Sequence, residues 1–137
     1  MIIFQIVAKM EVVNDRAAFL TNYEVYDVLN SIKASKTKSK GENQLATITY
    51  STIKYLEDTP CKDQTADKIT GFMTAVESFK LSKSEKLTIL NLFPTTVLEL
   101  HLMIEDCEER FNEEEEEKLL MIIAEHLETV KEEPTSD

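Results

Sequence analysis

The stretch at residues 81–111, LSKSEKLTILNLFPTTVLELHLMIEDCEERF, decides the fold. It contains two apolar segments separated by a short bend at Pro94. Each segment follows a capping box, in which a Ser or Thr precedes a Glu by three positions and the two residues bond to each other's backbone. The two boxes are Ser82 with Glu85 and Thr96 with Glu99. Proline cannot continue the first helix and favours an extended Phe93 before it. The stretch therefore predicts a helical hairpin.

The second helix of the hairpin is predicted to run on to residue 111. Apolar side chains recur along one face of it at helical spacing. They are Val97, Leu100, Ile104, Cys107 and Phe111. Leu98 and Leu102 fall on another face. An apolar surface this wide predicts a helix that is buried on more than one side.

Further helices are predicted on both sides of the hairpin. Thr21 and Glu24 form a capping box for a first helix, which a basic loop at residues 33–44 follows. Residues 47–57 are rich in β-branched side chains, but their apolar residues recur every three or four positions, which favours a helix over a strand. Thr65 caps the next helix, within which Gly71 marks either a weak point or a close approach by another helix.

Asn112 and Glu115 are positioned to cap the last helix. The glutamates at residues 113–117 then occupy its first turn, where carboxylates interact favourably with the helix dipole. The predicted buried face of this helix consists of Leu119, Leu120, Ile123, Leu127 and Val130.

Composition favours one helical domain. The chain has 137 residues, of which 42% are apolar and only 2 are Gly, so a core is available and a loop-rich β fold is disfavoured. The net charge of −11 makes the chain a poor candidate for binding the phosphate backbone of a nucleic acid by itself, because such binding depends on Lys and Arg. A protein partner is the better expectation.

No enzymatic or cofactor motif stands out. The sequence has no P-loop, dinucleotide-binding glycine pattern or HExxH motif, so neither a catalytic residue nor a cofactor is predicted. Cys61 and Cys107 are far apart and lack metal-ligand spacing, which favours two reduced thiols. His101 and His126 are single in sequence, and no local spacing completes a zinc site around them.

The hairpin and its flanks resemble the family of small stalk subunits of RNA polymerases, and in particular its polymerase III branch. The resemblance covers residues 10–130, and its most family-wide element is Asn91, Pro94 and Glu99 in the bend. The segments that carry it are LTNYEVYDVL at 20–29, TITYSTIKYLEDTPC at 47–61, the hairpin at 81–111 and the acidic helix that follows.

The resemblance implies an all-α, HRDC-like helical bundle preceded by an N-terminal helical arm. The implied organisation is an N-terminal extension at residues 1–19, a partner-binding arm at 20–64 with the flexible loop 33–44, an HRDC-like domain at 65–130 and a disordered acidic tail at 131–137. HRDC-like modules bind nucleic acid elsewhere, but fold does not fix function, and the charge favours a protein-binding scaffold here.

The resemblance also implies a non-catalytic role in the nucleus. The implied partners are a larger stalk subunit with an OB fold, the polymerase III core and initiation factors, in transcription of tRNA, 5S rRNA and other small non-coding RNAs. The expected partner interface consists of Tyr23, Val25, Tyr26, Val28, Leu29, Ile32, Asn91, Pro94 and Glu99. The alternative function is that of a cytoplasmic accessory protein of a calcitonin gene-related peptide receptor, without a transmembrane segment.

Charge also predicts that this chain adds little to RNA binding. The basic loop carries Lys33, Lys36, Lys38 and Lys40. Replacing all four with Gln should weaken RNA binding by a heterodimer with the larger subunit less than about threefold at physiological salt, because few counterions are released there. Filter binding across a salt series measures this. A loss of about tenfold or more would establish direct RNA contact by this loop.

Overall fold

The computed structural model describes residues 11–35 and 42–127. Its helices are α1 (Asn22–Ala34), α2 (Glu42–Glu57), a 3-10 helix (Pro60–Asp63), α3 (Ala66–Ala75), α4 (Lys83–Leu92), α5 (Val97–Met103), α6 (Cys107–Arg110) and α7 (Glu113–Leu127). The described residues contain no strand, so the all-α prediction is confirmed. Helices α1 and α2 both extend into the predicted loop 33–44. Residues 36–41, Val130 and the predicted tail lie outside the described residues.

The predicted helix starts are confirmed by hydrogen bonds. Complete capping boxes begin α1, α4 and α5, and Thr65 accepts a bond from the backbone of Lys68 at the start of α3. Asn112 and Glu115 bond reciprocally at the start of α7, at 2.9 and 3.0 Å. Each cap satisfies backbone N–H groups that a helix leaves without an internal partner.

Phe93 departs from the predicted extended conformation. Its φ of 52° lies in the left-handed region, and its backbone N–H bonds to the carbonyl of Ile89. A left-handed residue is a common way to close the C-terminus of a helix, although it is unfavourable for a residue with a side chain. The following Pro94 is fully buried, and its burial offsets part of the cost of the left-handed Phe93.

The predicted continuous helix from residue 96 to residue 111 is wrong. Helix α5 ends at Met103, Ile104 is extended, and Asp106 adopts a left-handed conformation with φ of 50° before α6 begins. The acidic side chains between residues 105 and 109 would interact unfavourably with the dipole at the C-terminal end of a long helix. Asp106 can also adopt the left-handed conformation at a lower cost than most residues. The break turns Ile104 into the core, where only 2% of it is exposed.

Leu98 and Leu102 do not form a second buried face. They are 71% and 80% exposed, whereas Leu100 between them is fully buried. The prediction that this helix is buried on more than one side is therefore wrong, because only the Leu100 face of the short α5 reaches the core.

The main core lies among α3 to α7. Its buried members are Phe72, Val76, Phe79, Leu81, Ile89, Leu90, Leu100, Ile104, Cys107, Phe111, Leu119, Ile123 and Leu127. Helices α3 and α7 pack closely, and a Cβ added at Gly71 would come within 2.9 Å of Nδ1 of His126. The close-approach interpretation of Gly71 is thus confirmed. In the arm, α1 packs on α2 and the 3-10 helix, where Ile53, Leu56 and Cys61 are buried.

The burial pattern on α5 and the turn after it predicts a sharp contrast in stability. Leu100→Ala and Ile104→Ala should each lower the free energy of unfolding by about 2–5 kcal/mol, because each leaves a cavity. Leu98→Ala and Leu102→Ala are matched controls on exposed positions and should change it by less than about 0.5 kcal/mol. Urea melts of the four variants measure the difference. Equal losses in both pairs would contradict the observed orientation of α5.

Candidate partner-binding surface

Helix α1 contributes no buried residue to the fold. Val28 and Ile32 lie four positions apart on one side of it and are 49% and 42% exposed. The other expected interface residues on this helix, Tyr23, Val25, Tyr26 and Leu29, are partly buried. Helix α1 therefore presents apolar area to solvent in its second half, although it packs on α2.

Helix α2 adds further exposed apolar side chains. Leu45, Ile48 and Tyr55 recur at spacings that place them on one face of the helix, and they are 50%, 46% and 70% exposed. None of these three was singled out from the sequence. Clustered exposed apolar residues are typical of surfaces that bind another protein. Tyr50, which is 59% exposed, lies on another face of α2. We call the other five exposed apolar residues of the two helices, Val28, Ile32, Leu45, Ile48 and Tyr55, the arm surface.

Polar contacts with α4 hold the arm in place. The side-chain oxygen of Asn91 accepts a 2.9 Å hydrogen bond from the backbone N–H of Asn22, at the start of α1. The side chain of Gln64, which follows the 3-10 helix, donates a 2.8 Å bond to the carbonyl of Leu90. Two consecutive residues of α4 thus bind both ends of the arm and fix its orientation on the core.

The three expected interface residues at the bend have roles within the chain. Asn91 anchors α1, and Pro94 is fully buried. Glu99 completes the cap of α5, and the backbone N–H of Thr95, 2.6 Å from Oε2 of Glu99, lowers the pKa of this carboxyl. Contact of these residues with a partner stays a prediction.

Arg110 and Glu85 connect the hairpin to α6. The guanidinium lies 2.7 Å from Oε1 of Glu85 and also donates to the backbone carbonyls of Lys80 and Glu105. The hydrogen bond from Arg110 is the main reason why the pKa of Glu85 falls from 4.5 to about 2. The sequence signalled Glu85 as a capping residue, but nothing in it pointed to Arg110, which lies 25 positions away.

Three potential metal ligands meet where α5, α6 and α7 converge. The structure brings His101, Cys107 and Glu116 together, with 2.7 Å between Nε2 of His101 and Oε1 of Glu116. Glu116 lies in the first turn of α7, as predicted, but it is buried, which its place in the glutamate run did not indicate. Burial is the main reason why the pKa of the Cys107 thiol rises to about 11, and Glu116 adds to the rise. Both Cys107 and Cys61 are free thiols, as predicted.

Comparison with known proteins identifies the family. The family model for RNA polymerase Rpb4 matches residues 19–127, which include the arm, the hairpin and α7. The chain belongs to the RNA polymerase Rpb4 family. The matched residues include the arm surface and the residues of α4 that anchor the arm, so the resemblance seen in the sequence is confirmed for both parts of this Rpb4-family chain.

Relatives of this Rpb4-family chain come from distant eukaryotes. The DNA-directed RNA polymerase III subunit rpc9 of Schizosaccharomyces pombe is 36% identical over 81% of this chain and 94% of its own length. The subunit of the same name from Saccharomyces cerevisiae is 28% identical over 84% of this chain and 98% of its own. That of Dictyostelium discoideum is 34% identical over 74% and 79%. The resemblance to the polymerase III branch is thereby confirmed.

Across residues 11–35 and 42–127, no helix of this Rpb4-family chain combines the length and apolar character needed to cross a membrane.

The Glu85–Arg110 ion pair predicts acid sensitivity. A carboxyl with a lowered pKa stabilises the fold above its unfolded pKa, and this contribution is lost as the pH falls from about 4.5 to about 2. Glu85→Gln should therefore be less stable than the native chain at pH 7, and the difference in unfolding free energy should shrink as the pH falls from about 4.5 to about 2.

Glu114→Gln, a change at an exposed position in the first turn of α7, is the control and should lower the free energy of unfolding by less than about 1 kcal/mol. Denaturant melts at several pH values test this, and a constant difference for Glu85→Gln would refute the linkage.

Proposed function

We propose that this chain is a non-catalytic subunit of RNA polymerase III, the smaller member of a stalk heterodimer that acts in transcription initiation. Its partner would be the larger stalk subunit, which carries an OB fold, and its site of action the nucleus. The observation that carries the proposal is the arm surface of an Rpb4-family chain: α1 has no buried residue, yet it exposes apolar side chains.

The arm surface supports heterodimer formation on physical grounds. An apolar helix face in water gains free energy when a partner covers it, in proportion to the area removed from solvent. Asn91 and Gln64 hold the arm against α4, so the surface is ordered before the partner arrives. Preorganisation reduces the entropy lost on binding. The arm is therefore suited to a stable interface.

The charge of the chain supports a division of labour in the heterodimer. A net charge of −11 repels phosphates, so this chain contributes little to RNA affinity. Single-stranded RNA would be bound mainly by the OB fold of the larger subunit, through stacking and a positively charged groove. This chain would act as the scaffold that holds the larger subunit and contacts the polymerase core and initiation factors.

The alternative function at a calcitonin gene-related peptide receptor is not supported by the comparisons. The matching family and the relatives are named for RNA polymerase. Co-purification from nuclear extract discriminates the two functions, because polymerase subunits at stoichiometric yield support the proposal and receptor components at that yield contradict it.

The heterodimer predicts that the arm surface controls solubility and binding. Co-expression with the larger stalk subunit should raise the soluble yield and the thermal midpoint of this chain, because the partner binds only the folded form. Ile32→Asp should weaken the heterodimer about tenfold or more, since a charge in an apolar interface loses its hydration. Titration calorimetry measures the affinity.

Leu102→Asp is the matched control for Ile32→Asp. It introduces the same charge at an apolar residue that is 80% exposed on α5, away from the arm. We expect its affinity for the larger subunit to equal that of the native chain. Equal affinity of Ile32→Asp and the native chain would contradict the proposed interface.

A further inference from the structure

The strongest unassigned feature is the group of three side chains at the junction of α5, α6 and α7. His101 comes from α5, Cys107 is the first residue of α6, and Glu116 comes from the first turn of α7. One ligand atom from each lies within 4.8 Å of the other two. Cys107 and Glu116 are 4% and 6% exposed, while His101 lies closer to solvent with 27% of its side chain exposed.

The chain break after α5 creates this group. In a continuous helix, His101 and Cys107 would point about 120° apart, because six residues rotate the chain by about 600°. The extended Ile104 and the left-handed Asp106 reorient the chain before α6, so that the Cys107 sulfur lies 3.6 Å from Oε1 of Glu116. Three ligand types from three helices therefore come within 4.8 Å of one another.

The ligand atoms lie within reach of a tetrahedral zinc site, since all three are within 4.8 Å of one another. Usual zinc bond lengths to nitrogen, oxygen and sulfur place neighbouring ligand atoms about 3.4–3.6 Å apart. The distance between Cys107 and Glu116 is already 3.6 Å. The distance from His101 to Glu116 is 2.7 Å and would have to open by about 0.7 Å, which a small side-chain rotation allows.

The surroundings of His101 also suit a metal ligand. Oε1 of Glu108 lies 3.5 Å from Nδ1 of His101, on the ring nitrogen that does not face Glu116. A carboxylate on the second nitrogen orients a metal-binding histidine and makes it more basic. Glu108 is largely exposed, so it approaches from the solvent side.

We propose that His101, Cys107 and Glu116 bind a transition-metal dication, with Zn²⁺ the best fit, and that the metal joins α5, α6 and α7. On binding, the metal would displace the proton of the Cys107 thiol to water, and the resulting thiolate, with imidazole and carboxylate, matches the ligand preferences of zinc. Three protein ligands leave a fourth position, which the partial exposure of His101 makes accessible to water. This site is independent of the arm surface and of the proposed heterodimer.

Cobalt provides a direct test on the full-length chain, prepared with or without its partner subunit. Co²⁺ should bind with one equivalent per chain and give a sulfur-to-cobalt charge-transfer band that Zn²⁺ displaces. Cys107→Ser should abolish the band, and His101→Gln should weaken Co²⁺ binding about tenfold or more. Zn²⁺ should raise the thermal midpoint of the native chain but not that of Cys107→Ser.

Cys61→Ser is the matched control, because Cys61 is also a free and buried thiol but lies in the 3-10 helix. It should keep the band and the stabilisation by Zn²⁺. Circular dichroism verifies that each variant is folded, and His101→Gln supplies a second measurement at a partly exposed position. Absence of the band in the native chain, or its persistence in Cys107→Ser, would overturn the proposal and leave only the hydrogen bonds of Glu116 with His101 and Cys107. Equal loss in Cys61→Ser would overturn it as well.

Discussion

The ion pair between Arg110 and Glu85 connects the parts of the chain on which the core depends. Glu85 caps α4 through Ser82 and accepts two bonds from the guanidinium, which also binds the carbonyls of Lys80 and Glu105. The Arg110 side chain thus bonds both to the segment before α4, at Lys80, and to the turn after α5, at Glu105. A buried carboxylate without such a cation would be costly, because its lost hydration would have no compensation. The pair therefore connects the first turn of α4 to the last residue of α6, immediately before the chain enters α7.

The division of the molecule into an arm and a helical core gives each part a different physical task. Helices α3 to α7 bury the large apolar side chains around Phe72 and Leu100 and supply most of the stability. Within the arm, α1 buries no residue of its own, and the arm is oriented by hydrogen bonds to Asn91 and Leu90. An exposed apolar surface beside a packed core is typical of a protein that binds another protein. Membership in the Rpb4 family agrees with that arrangement.

Acidic residues serve several separate purposes in this chain. Glu24, Glu85 and Glu99 cap helices, and Glu115 does so through Asn112. Glu116 is instead buried against His101 and Cys107, only one position further along the same glutamate run. Because adjacent residues of a helix point about 100° apart, one member of a run can enter the interior while its neighbours remain in water. Part of the net charge therefore reflects local helix chemistry rather than one continuous acidic surface.

The sequence alone determined the starts of the five capped helices, the bend and the all-α class, because caps and apolar spacing act over three or four residues within one segment. The start of α2 at Glu42 was not determined, since it lies inside the predicted loop. The family resemblance placed Val28 and Ile32 among the expected interface residues, and both are exposed in the structure. Only the tertiary structure decided the break at Ile104–Asp106, the exposure of Leu98 and Leu102, and the left-handed Phe93. These features depend on which face meets the core and on contacts such as Arg110 with Glu85 or His101 with Glu116. Such pairs lie 15 or more positions apart, so no local pattern encodes them.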